Sequence, residues 1–255
     1  MKFLCFAGVG TNAETFRRQL LPLAQDLEKD GNHSFHYIAG SVELPDSRGM
    51  MEEYFGSGPH LRFLESSWPG ASDQQLYEVL GRAPLGLTPE EKHRYVERHL
   101  PPKTSLVFQD VLLGIHRVFD NEGPFDCVLG HSEGAAIAAT FVIDCLNKAA
   151  EGKEMVQPKY AVFMSGACPY AVSGKGKLSA DESGQLITIP TCHILGYNDV
   201  LVDQAVGLFH LCKEEVATMV DHGRGHAIPK DPQSWRLIIS GIRGLIAGAE
   251  AYANS

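Results

Sequence analysis

Short apolar segments alternate with segments of helical periodicity along most of the chain. The apolar segments predict six β-strands, at residues 2–8, 34–40, 125–130, 160–166, 191–196 and 217–222. Between and after the later strands the pattern predicts helices at residues 133–148, 202–215 and 231–248. Strands that alternate with helices in this way are typical of a parallel sheet covered by helices on both faces. The pattern therefore predicts an α/β fold with a mostly parallel sheet.

Further helices are predicted from capping residues and from apolar positions at helical intervals. Thr11 and Glu14 have the spacing of a capping box, and they precede a periodic run in which Pro22 is expected to kink or shorten the helix. The segment TPEE at residues 88–91 is a helix start, because a capping residue is followed by proline and then by glutamate. Residues 105–119 carry a wide apolar stripe, which predicts a longer helix with one face in the core.

The stretch at residues 45–100 is less regular than the rest of the chain. We predict a single domain over residues 1–255, with 45–100 as an insertion where a lid or a substrate wall would be built. Trp68, Tyr77 and Leu80 lie in this insertion, and simple core packing is the favoured interpretation for them. Lysine, glycine and serine dominate a second irregular stretch at residues 173–184, which is predicted to be a surface loop.

Charge and cysteine content narrow the classes of partner and compartment. The formal net charge is −9 and no basic run offsets it, which argues against binding along nucleic acid or on an anionic membrane surface. No apolar stretch approaches the roughly 18 residues of a membrane span. The six cysteines form no CxxC pair and lie mostly in apolar segments, which favours free thiols in a reducing compartment. The apolar N-terminal run is short and lacks a clear cleavage site, so we expect a first strand and a cytoplasmic protein.

The segment Gly130-His131-Ser132-Glu133-Gly134 is a GxSxG sequence between a predicted strand and a predicted helix. That context is informative, because GxSxG alone arises easily by chance in a chain rich in glycine and serine. Side chains at the two glycine positions would collide with the neighbouring strand and helix in a sharp strand-to-helix turn. The pattern predicts a nucleophile elbow that holds the hydroxyl of Ser132 out of the fold.

A serine hydroxyl needs a base, and the base needs an orienting acid. In α/β-hydrolases these residues follow the serine in the order acid, then histidine. Asp199 follows the strand at 191–196, and His226 lies in a glycine-flanked loop after the last strand. Asp203 and His222 are the alternatives for the acid and the base, although Asp203 is expected inside a helix and His222 at a strand end.

The reaction also needs backbone N–H donors that stabilise an oxyanion. The residue after the nucleophile, Glu133, is expected to supply one donor. Val9, in the loop that follows the first strand, is expected to supply the other. Gly8 and Gly10 would let this backbone approach a substrate closely, and an ordinary tight turn is the alternative explanation for the two glycines.

The two residues that end the fourth predicted strand are candidates for substrate contact. Ser165 and Gly166 either line an acyl pocket or form a strand-ending turn. The sequence contains no HExxH motif and no clustered Cys/His spacing, so no metal site is predicted. GxGxxG and P-loop patterns are absent as well, and no cofactor is predicted.

Four segments of the chain together resemble the serine hydrolase family of small fungal α/β-hydrolases: FAGVGTNAETF, GHSEGAA, ILGYNDVLVD and GHAIP. That family includes thioesterases and esterases encoded beside fungal polyketide synthases, such as the enzyme that releases the lovastatin nonaketide. The resemblance covers most of the chain and is poor at residues 45–100 and 170–188. Ala7-Gly8 departs from the family pattern, which usually has His-Gly there. The side-chain support of the oxyanion loop is therefore expected to differ from that of the family.

The resemblance implies a six-stranded core in the order 2-1-3-4-5-6, counting predicted strands along the chain. It also implies the roles of nucleophile, acid and base for Ser132, Asp199 and His226. The resulting prediction is a serine hydrolase that cleaves an ester or thioester through an acyl-enzyme. Its sharpest version is release of a polyketide acyl chain from a synthase carrier domain in secondary metabolism, which rests on family analogy.

Two other functions remain open at this stage. The same three residues could act on a different electrophile, as in a carboxylesterase, a carbon–carbon bond hydrolase or a cyclising enzyme. A non-catalytic ligand-binding protein on a hydrolase fold is the alternative from a different class. The intact order of serine, acid and histidine counts against it, because a binding protein has no need of all three.

Overall fold

A computed structural model describes residues 1–29, 31–44, 50–68, 70–101 and 106–253. Its eight strands, in chain order, are β1 Lys2–Phe6, β2 Ser34–Ile38, β3 Val42–Glu43, β4 Leu61–Arg62, β5 Cys127–His131, β6 Tyr160–Met164, β7 Thr191–Leu195 and β8 Ala217–Asp221. Six of them form one sheet in the order β2-β1-β5-β6-β7-β8, and every neighbouring pair in it is parallel. The two short strands β3 and β4 form a separate antiparallel pair. All six predicted strands are present, and the expected strand order is confirmed.

Ten α-helices surround or extend this sheet in the described part of the chain. They are α1 Ala13–Gln19, α2 Leu21–Glu28, α3 Met50–Phe55, α4 Asp73–Gly81, α5 Pro89–His99, α6 Leu106–Glu122, α7 Glu133–Ala150, α8 Ala180–Ser183, α9 Val202–His210 and α10 Pro232–Ala253. A short 3-10 turn, Glu214–Val216, precedes β8.

Successive residues of the central strands point to opposite sides of the sheet, and a hydrophobic core covers each face. Leu4 and Phe6 of β1 pack into a core shared with α6 and α7. Phe3 and Cys5 of the same strand pack into a second core with helices α1, α2 and α10. The prediction of a parallel sheet between two helical layers is therefore confirmed.

The first helical segment differs from its prediction in one capping residue. Asn12, not Thr11, is the N-cap of α1, and its side chain accepts a hydrogen bond from the Thr15 N–H at 2.9 Å. The hydroxyl of Thr11 donates instead to the Gly8 carbonyl at 2.7 Å. The helix starts one residue later than expected, so Thr15 rather than Glu14 completes the capping box. Pro22 lies in the first turn of α2, and the expected shortening is seen as a break at Leu20.

The described part of the insertion forms regular helices with local caps. Ser72 caps α4, and Thr88 caps α5 with Pro89 at its first position, as the segment at residues 88–91 predicts. The predicted helix at 105–119 is observed as α6, and position 105 lies outside the described residues. That residues 45–100 form a lid stays a prediction. That the whole chain is a single domain stays a prediction as well.

The prediction of a surface loop at residues 173–184 is wrong in part. Lys177 and Ser179 are buried, and α8 forms at its end. The segment folds back on itself, because the Ala171 N–H donates to the Gly176 carbonyl at 3.1 Å and the Leu178 N–H donates to the Pro169 carbonyl at 2.8 Å. Composition did not reveal this pairing, which turns one lysine away from solvent.

All six cysteines are free and buried, as their apolar surroundings predict. Burial raises the pKa of Cys168 and of Cys192 to about 11, so these thiols are protonated at neutral pH. The reducing, cytoplasmic compartment stays a prediction. None of the helices in the described ranges combines the length and the apolar character needed to cross a membrane.

Substitutions at two glycines of α10 can test how tightly this helix packs on the sheet. A Cβ at Gly241 would lie 2.4 Å from Val220 Cγ2, whereas a Cβ at Gly244 would meet nothing within 4 Å. We expect Gly241→Ala to lower the free energy of unfolding by about 1–2 kcal/mol, since overpacking against a stiff valine outweighs the gain in helix propensity. Gly244→Ala, the matched control, should raise it by up to about 1 kcal/mol. Urea unfolding measures both, and shifts of the same sign would contradict the packing described.

Candidate active site

Ser132 is the single residue between β5 and α7. Its backbone has φ 55° and ψ −121°, a conformation that is strained for a residue with a side chain. The Ser132 N–H donates to the Met164 carbonyl of the neighbouring strand at 2.9 Å, which holds the turn in place. A Cβ at Gly130 would lie 2.5 Å from Ala135 Cα, and one at Gly134 would lie 2.3 Å from the Phe6 carbonyl oxygen. The two glycines are thus required by close backbone approach, as the GxSxG sequence predicts.

Asp199 and His226 come together with Ser132 at the carboxyl edge of the sheet. His226 Nε2 lies 2.8 Å from Ser132 Oγ, and His226 Nδ1 lies 2.8 Å from Asp199 Oδ2. The side chain of Asp199 is almost fully buried, and its Oδ1 accepts a hydrogen bond from the Leu201 N–H at 2.8 Å.

The charge of Asp199 fixes the hydrogen-bond pattern of the histidine. Burial alone would raise the pKa of Asp199, but the hydrogen bond and charge of His226 and the N–H of Leu201 more than offset it, and the pKa lies below its usual range. An ionised carboxylate only accepts, so His226 Nδ1 carries the proton toward Asp199. In the neutral ring Nε2 is then free to accept the hydroxyl proton of Ser132.

The two alternatives for acid and base make other contacts. Asp203, in α9, forms an ion pair with Lys92 of α5. The ring of His222 accepts a hydrogen bond from the Arg224 N–H at 3.2 Å through Nδ1. Within the described residues, the structure therefore brings Asp199 and His226, and not Asp203 or His222, to Ser132.

His131 holds the loop that carries His226, a contact that the sequence analysis did not predict. Its Nε2 donates to the backbone carbonyl of His226 at 3.1 Å, because a carbonyl can only accept. Burial, with a smaller effect of His226, lowers the pKa of His131 to about 4, so its ring is neutral at pH 7. His131 occupies the variable position before the serine in GxSxG, and its side-chain contact spans 95 residues of sequence. The adjacency to Ser132 was the only available signal.

At Gly8 and Gly10, neighbouring protein atoms leave no room for a side chain. A Cβ at Gly8 would lie 2.7 Å from His131 Nδ1, and one at Gly10 would lie 2.7 Å from the ring of Phe55. Gly10 also has φ +82°, a conformation that favours glycine. Val9, between them, lines the cavity at Ser132. A direct role of the two glycines in substrate binding stays a prediction.

Glu133 contributes a side chain as well as a backbone N–H at the start of α7. Its carboxylate is buried and accepts hydrogen bonds from the Phe63 N–H at 2.8 Å and from Arg62 Nη2 at 3.3 Å. Burial raises the pKa of Glu133, although Arg62 and the Phe63 N–H oppose the shift. Arg62 in turn forms an ion pair with Asp73 at 2.6 Å. The insertion is thereby attached to the residue next to Ser132.

Ser132 and His226 open into a cavity of about 1020 Å³. Its lining includes Val9, Glu133, Ser165 and Gly166, and from the insertion Trp68, Tyr77 and Leu80. Ser165 has φ 43°, and its N–H donates to the Ile194 carbonyl at 2.7 Å. Trp68 is also a core residue, since it is buried and its indole N–H donates to the Leu100 carbonyl at 2.7 Å. The volume is at the upper end for small-molecule sites.

The described ranges hold no group of three or more His, Cys, Asp or Glu side chains placed to bind a metal ion.

Curated proteins of similar sequence are esterases and hydrolases. The chain is 26% identical to Esterase FPY3 of Fusarium mangiferae, over 91% of this chain and 90% of that protein. It is also 26% identical to Hydrolase phiM of Talaromyces stipitatus, over 96% of this chain and 87% of that protein. A vertebrate relative, Esterase OVCA2 of Bos taurus, is 24% identical over 90% and 89% of the two chains.

Solved structures of the same fold are α/β-hydrolases of low sequence identity. SOBER1 of Arabidopsis thaliana superposes with a TM-score of 0.52 at 14% identity, covering 96% of this chain and 99% of that chain. Acyl-protein thioesterase 2 of Zea mays superposes with a TM-score of 0.51 at 14% identity, covering 96% and 93%. At these identities the likeness concerns the fold alone.

A family model described as "Serine hydrolase (FSH1)" matches residues 1–236. The match includes the GxSxG turn, the aspartate loop and the histidine loop described above. The chain belongs to the FSH1 family of serine hydrolases.

Proposed function

We propose that this serine hydrolase cleaves a thioester or ester of a medium-length acyl chain through an acyl-enzyme at Ser132. The observation that carries the proposal is the hydrogen-bonded chain from Asp199 through His226 to Ser132, which faces a cavity of about 1020 Å³. The distances of 2.8 Å on both sides of the imidazole meet the geometric requirement for a base that is oriented by an acid.

The proposed reaction begins when Ser132 Oγ attacks the acyl carbon and its proton passes to His226 Nε2. Asp199 stabilises the imidazolium that forms, since its carboxylate remains ionised. The tetrahedral intermediate collapses as His226 donates this proton to the leaving thiolate or alkoxide. Water then attacks the acyl-enzyme with the same base, and the acid and the free enzyme result.

Backbone N–H groups supply the proposed oxyanion hole. Glu133 N–H lies in the first turn of α7, where unpaired N–H groups and the helix dipole favour negative charge. Val9 N–H, from the loop after β1, is the proposed second donor. Each donor of this kind is typically worth ~3 kcal/mol of activation free energy. Ser165 and Gly166, which line the same cavity, are proposed to contact the acyl chain.

The sharper form of the proposal is thioester release of a polyketide acyl chain from a synthase carrier domain, in the cytoplasm. Its support is the similarity to fungal relatives named as an esterase and a hydrolase, together with the size of the cavity. A carrier domain would present its acyl group at the end of a flexible arm, and the cavity has room for such a chain.

The nucleophile can be identified by intact mass after treatment with a fluorophosphonate. We expect one adduct on the wild type and none on Ser132→Ala, because phosphonylation requires a serine activated by a base. Ser57→Ala, which changes another and exposed serine of the same cavity, is the matched control and should label like the wild type. An adduct on Ser132→Ala would place the nucleophile elsewhere. A folded wild type that does not label would favour a non-catalytic ligand-binding protein.

The hydrogen bond from His131 to the His226 loop predicts a positioning role. His131→Ala should lower kcat about tenfold and leave KM within about twofold, since one buried hydrogen bond is lost and the imidazole is less well held. His131→Gln can still donate through its amide and should recover part of kcat. Steady-state kinetics on a p-nitrophenyl ester measures both variants. Equal losses of kcat in the two variants would contradict a role for the donated hydrogen bond.

The preference for thioesters can be measured with octanoyl-N-acetylcysteamine and its oxygen ester. We expect kcat/KM to be about tenfold higher for the thioester, which corresponds to ~1.4 kcal/mol of activation free energy. Mass spectrometry of the products separates simple hydrolysis from cyclising release and from carbon–carbon cleavage. An equal or higher rate on the oxygen ester would make the protein a carboxylesterase.

A further inference from the structure

Lys177 is a buried lysine in the wall of the cavity, and the proposed reaction leaves it without a role. Its exposed fraction is 8%, and it lines the cavity together with Ser132 and His226. No residue in the described part of the chain accepts a hydrogen bond from Lys177 Nζ or forms an ion pair with it. Lys177 Nζ lies over the face of Tyr170, 4.7 Å from the ring centroid. An ammonium group in such a place retains hydrogen-bond donors for a ligand.

The backbone around Lys177 holds the ammonium in a defined position. Lys177 pairs with Tyr170 across an antiparallel bridge in the segment that folds back at residues 169–178. Tyr170 is fixed in turn, because its N–H donates to Thr140 Oγ1 at 2.9 Å and its hydroxyl donates to the Ser67 carbonyl at 3.2 Å. The aromatic surface below the ammonium is therefore preorganised, and the Tyr170 proton is already used.

The charges near Lys177 explain how a buried ammonium is tolerated. Arg62 is paired with two carboxylates, at 2.6 Å from Asp73 and 3.3 Å from Glu133, and with both carboxylates ionised this trio has a net charge of −1. Burial lowers the pKa of Lys177, while Cys168, Glu133 and Asp73 act in the opposite direction. A protonated Lys177 brings the total of the four charged groups to zero. A neutral ligand atom preserves this balance, whereas a carboxylate would leave an unpaired negative charge in a buried site.

The acyl part of the substrate is the part that can reach Lys177. After the first chemical step the leaving group departs and the acyl chain remains attached to Ser132. Lys177 and Ser132 line the same cavity, so the chain attached to Ser132 is the part of the substrate placed to meet Lys177.

We propose that Lys177 selects the acyl group by donating hydrogen bonds to a keto oxygen that the chain carries beyond the scissile carbonyl. The inference rests on the proposed function, because it assumes that the cavity receives the acyl chain of an ester or thioester. A keto oxygen accepts without donating, which suits an ammonium that has only donors, and it adds no charge to the balanced cluster. The substrate class is an oxo-substituted acyl ester or thioester.

The test compares p-nitrophenyl octanoate with its 5-oxo and 7-oxo analogues. In the wild type we expect kcat/KM to be about tenfold or more higher for at least one oxo ester, since a hydrogen bond to a charged group has that effect. Lys177→Met should bring this ratio to within about twofold of one. Lys175→Met, an exposed lysine of the same segment, should keep the wild-type ratio. Comparing the same esters across variants cancels their intrinsic reactivities.

Several results would overturn the inference. The first is that Lys177→Met leaves the ratio of kcat/KM between the oxo and plain esters unchanged. The second is that the wild type shows no preference for either oxo ester. The third is that kcat/KM is higher for the octanedioate monoester than for both oxo esters. If Lys177→Met does not fold, Lys177→Gln removes the charge while keeping an amide donor. It should reduce the ratio to an intermediate value, and an unchanged ratio would count against the lysine.

A binding measurement separates this inference from the proposed function. Calorimetry on Ser132→Ala with methyl 7-oxooctanoate, methyl 5-oxooctanoate and methyl octanoate needs no turnover. We expect at least one oxo ester to bind about tenfold more tightly than the plain ester, and Lys177→Met in the same background to remove the difference. If the wild type does not turn over any ester but Ser132→Ala shows this binding preference, the proposed reaction alone is refuted. Equal binding of all three esters would refute the role of Lys177 alone.

Discussion

The close approach of α7 to strands β1 and β5 is the constraint on which the site depends. Added Cβ atoms at Gly130 and Gly134 would lie 2.5 Å or less from backbone atoms of the helix and of β1. Because the elements are that close, the chain passes from strand to helix within one residue. Ser132 takes the resulting strained backbone, and packing on both sides over-determines it. The hydroxyl is thereby placed at the sheet edge where parallel strands end and functional loops gather.

The GxSxG segment, residues 130–134, also holds the loops around the cavity in place. His131 donates to the carbonyl of His226, and Glu133 accepts from the Phe63 N–H, so residues on either side of Ser132 hold two distant segments. The Glu133 contact is energetically sensitive. Removing one partner of a buried ion pair typically costs about 3–5 kcal/mol, because the other charge stays buried. A lid motion of the insertion would therefore have to leave its β4 end attached to the site.

Local signals in the sequence were sufficient for the strands and for the central three residues of the site, whereas the order of the strands in the sheet came from the family resemblance. Strand positions follow from apolar runs, and Ser132, Asp199 and His226 follow from a motif and from chain order at one edge of a parallel sheet. Contacts between side chains far apart in sequence were not predictable. The contacts of His131 and Glu133 span 95 and 70 residues, and no periodicity encodes them. Lys177 was assigned to a surface loop because its neighbours are small and polar, and composition does not report which way one side chain turns.

Charge balance decides how the cavity can stabilise a reaction. With Glu133 ionised and Lys177 protonated, the charges of Arg62, Asp73, Glu133 and Lys177 sum to zero, so this cluster adds no net charge beside Ser132. In the proposed mechanism a developing oxyanion then depends on short-range donors, namely the proposed backbone N–H groups at the start of α7 and in the loop after β1. Such dipoles are aimed at one position, whereas a net positive charge would stabilise an anion throughout the cavity, including a bound acid product. In the proposed mechanism, a neutral cluster with local donors would therefore favour the transition state over the product and assist product release.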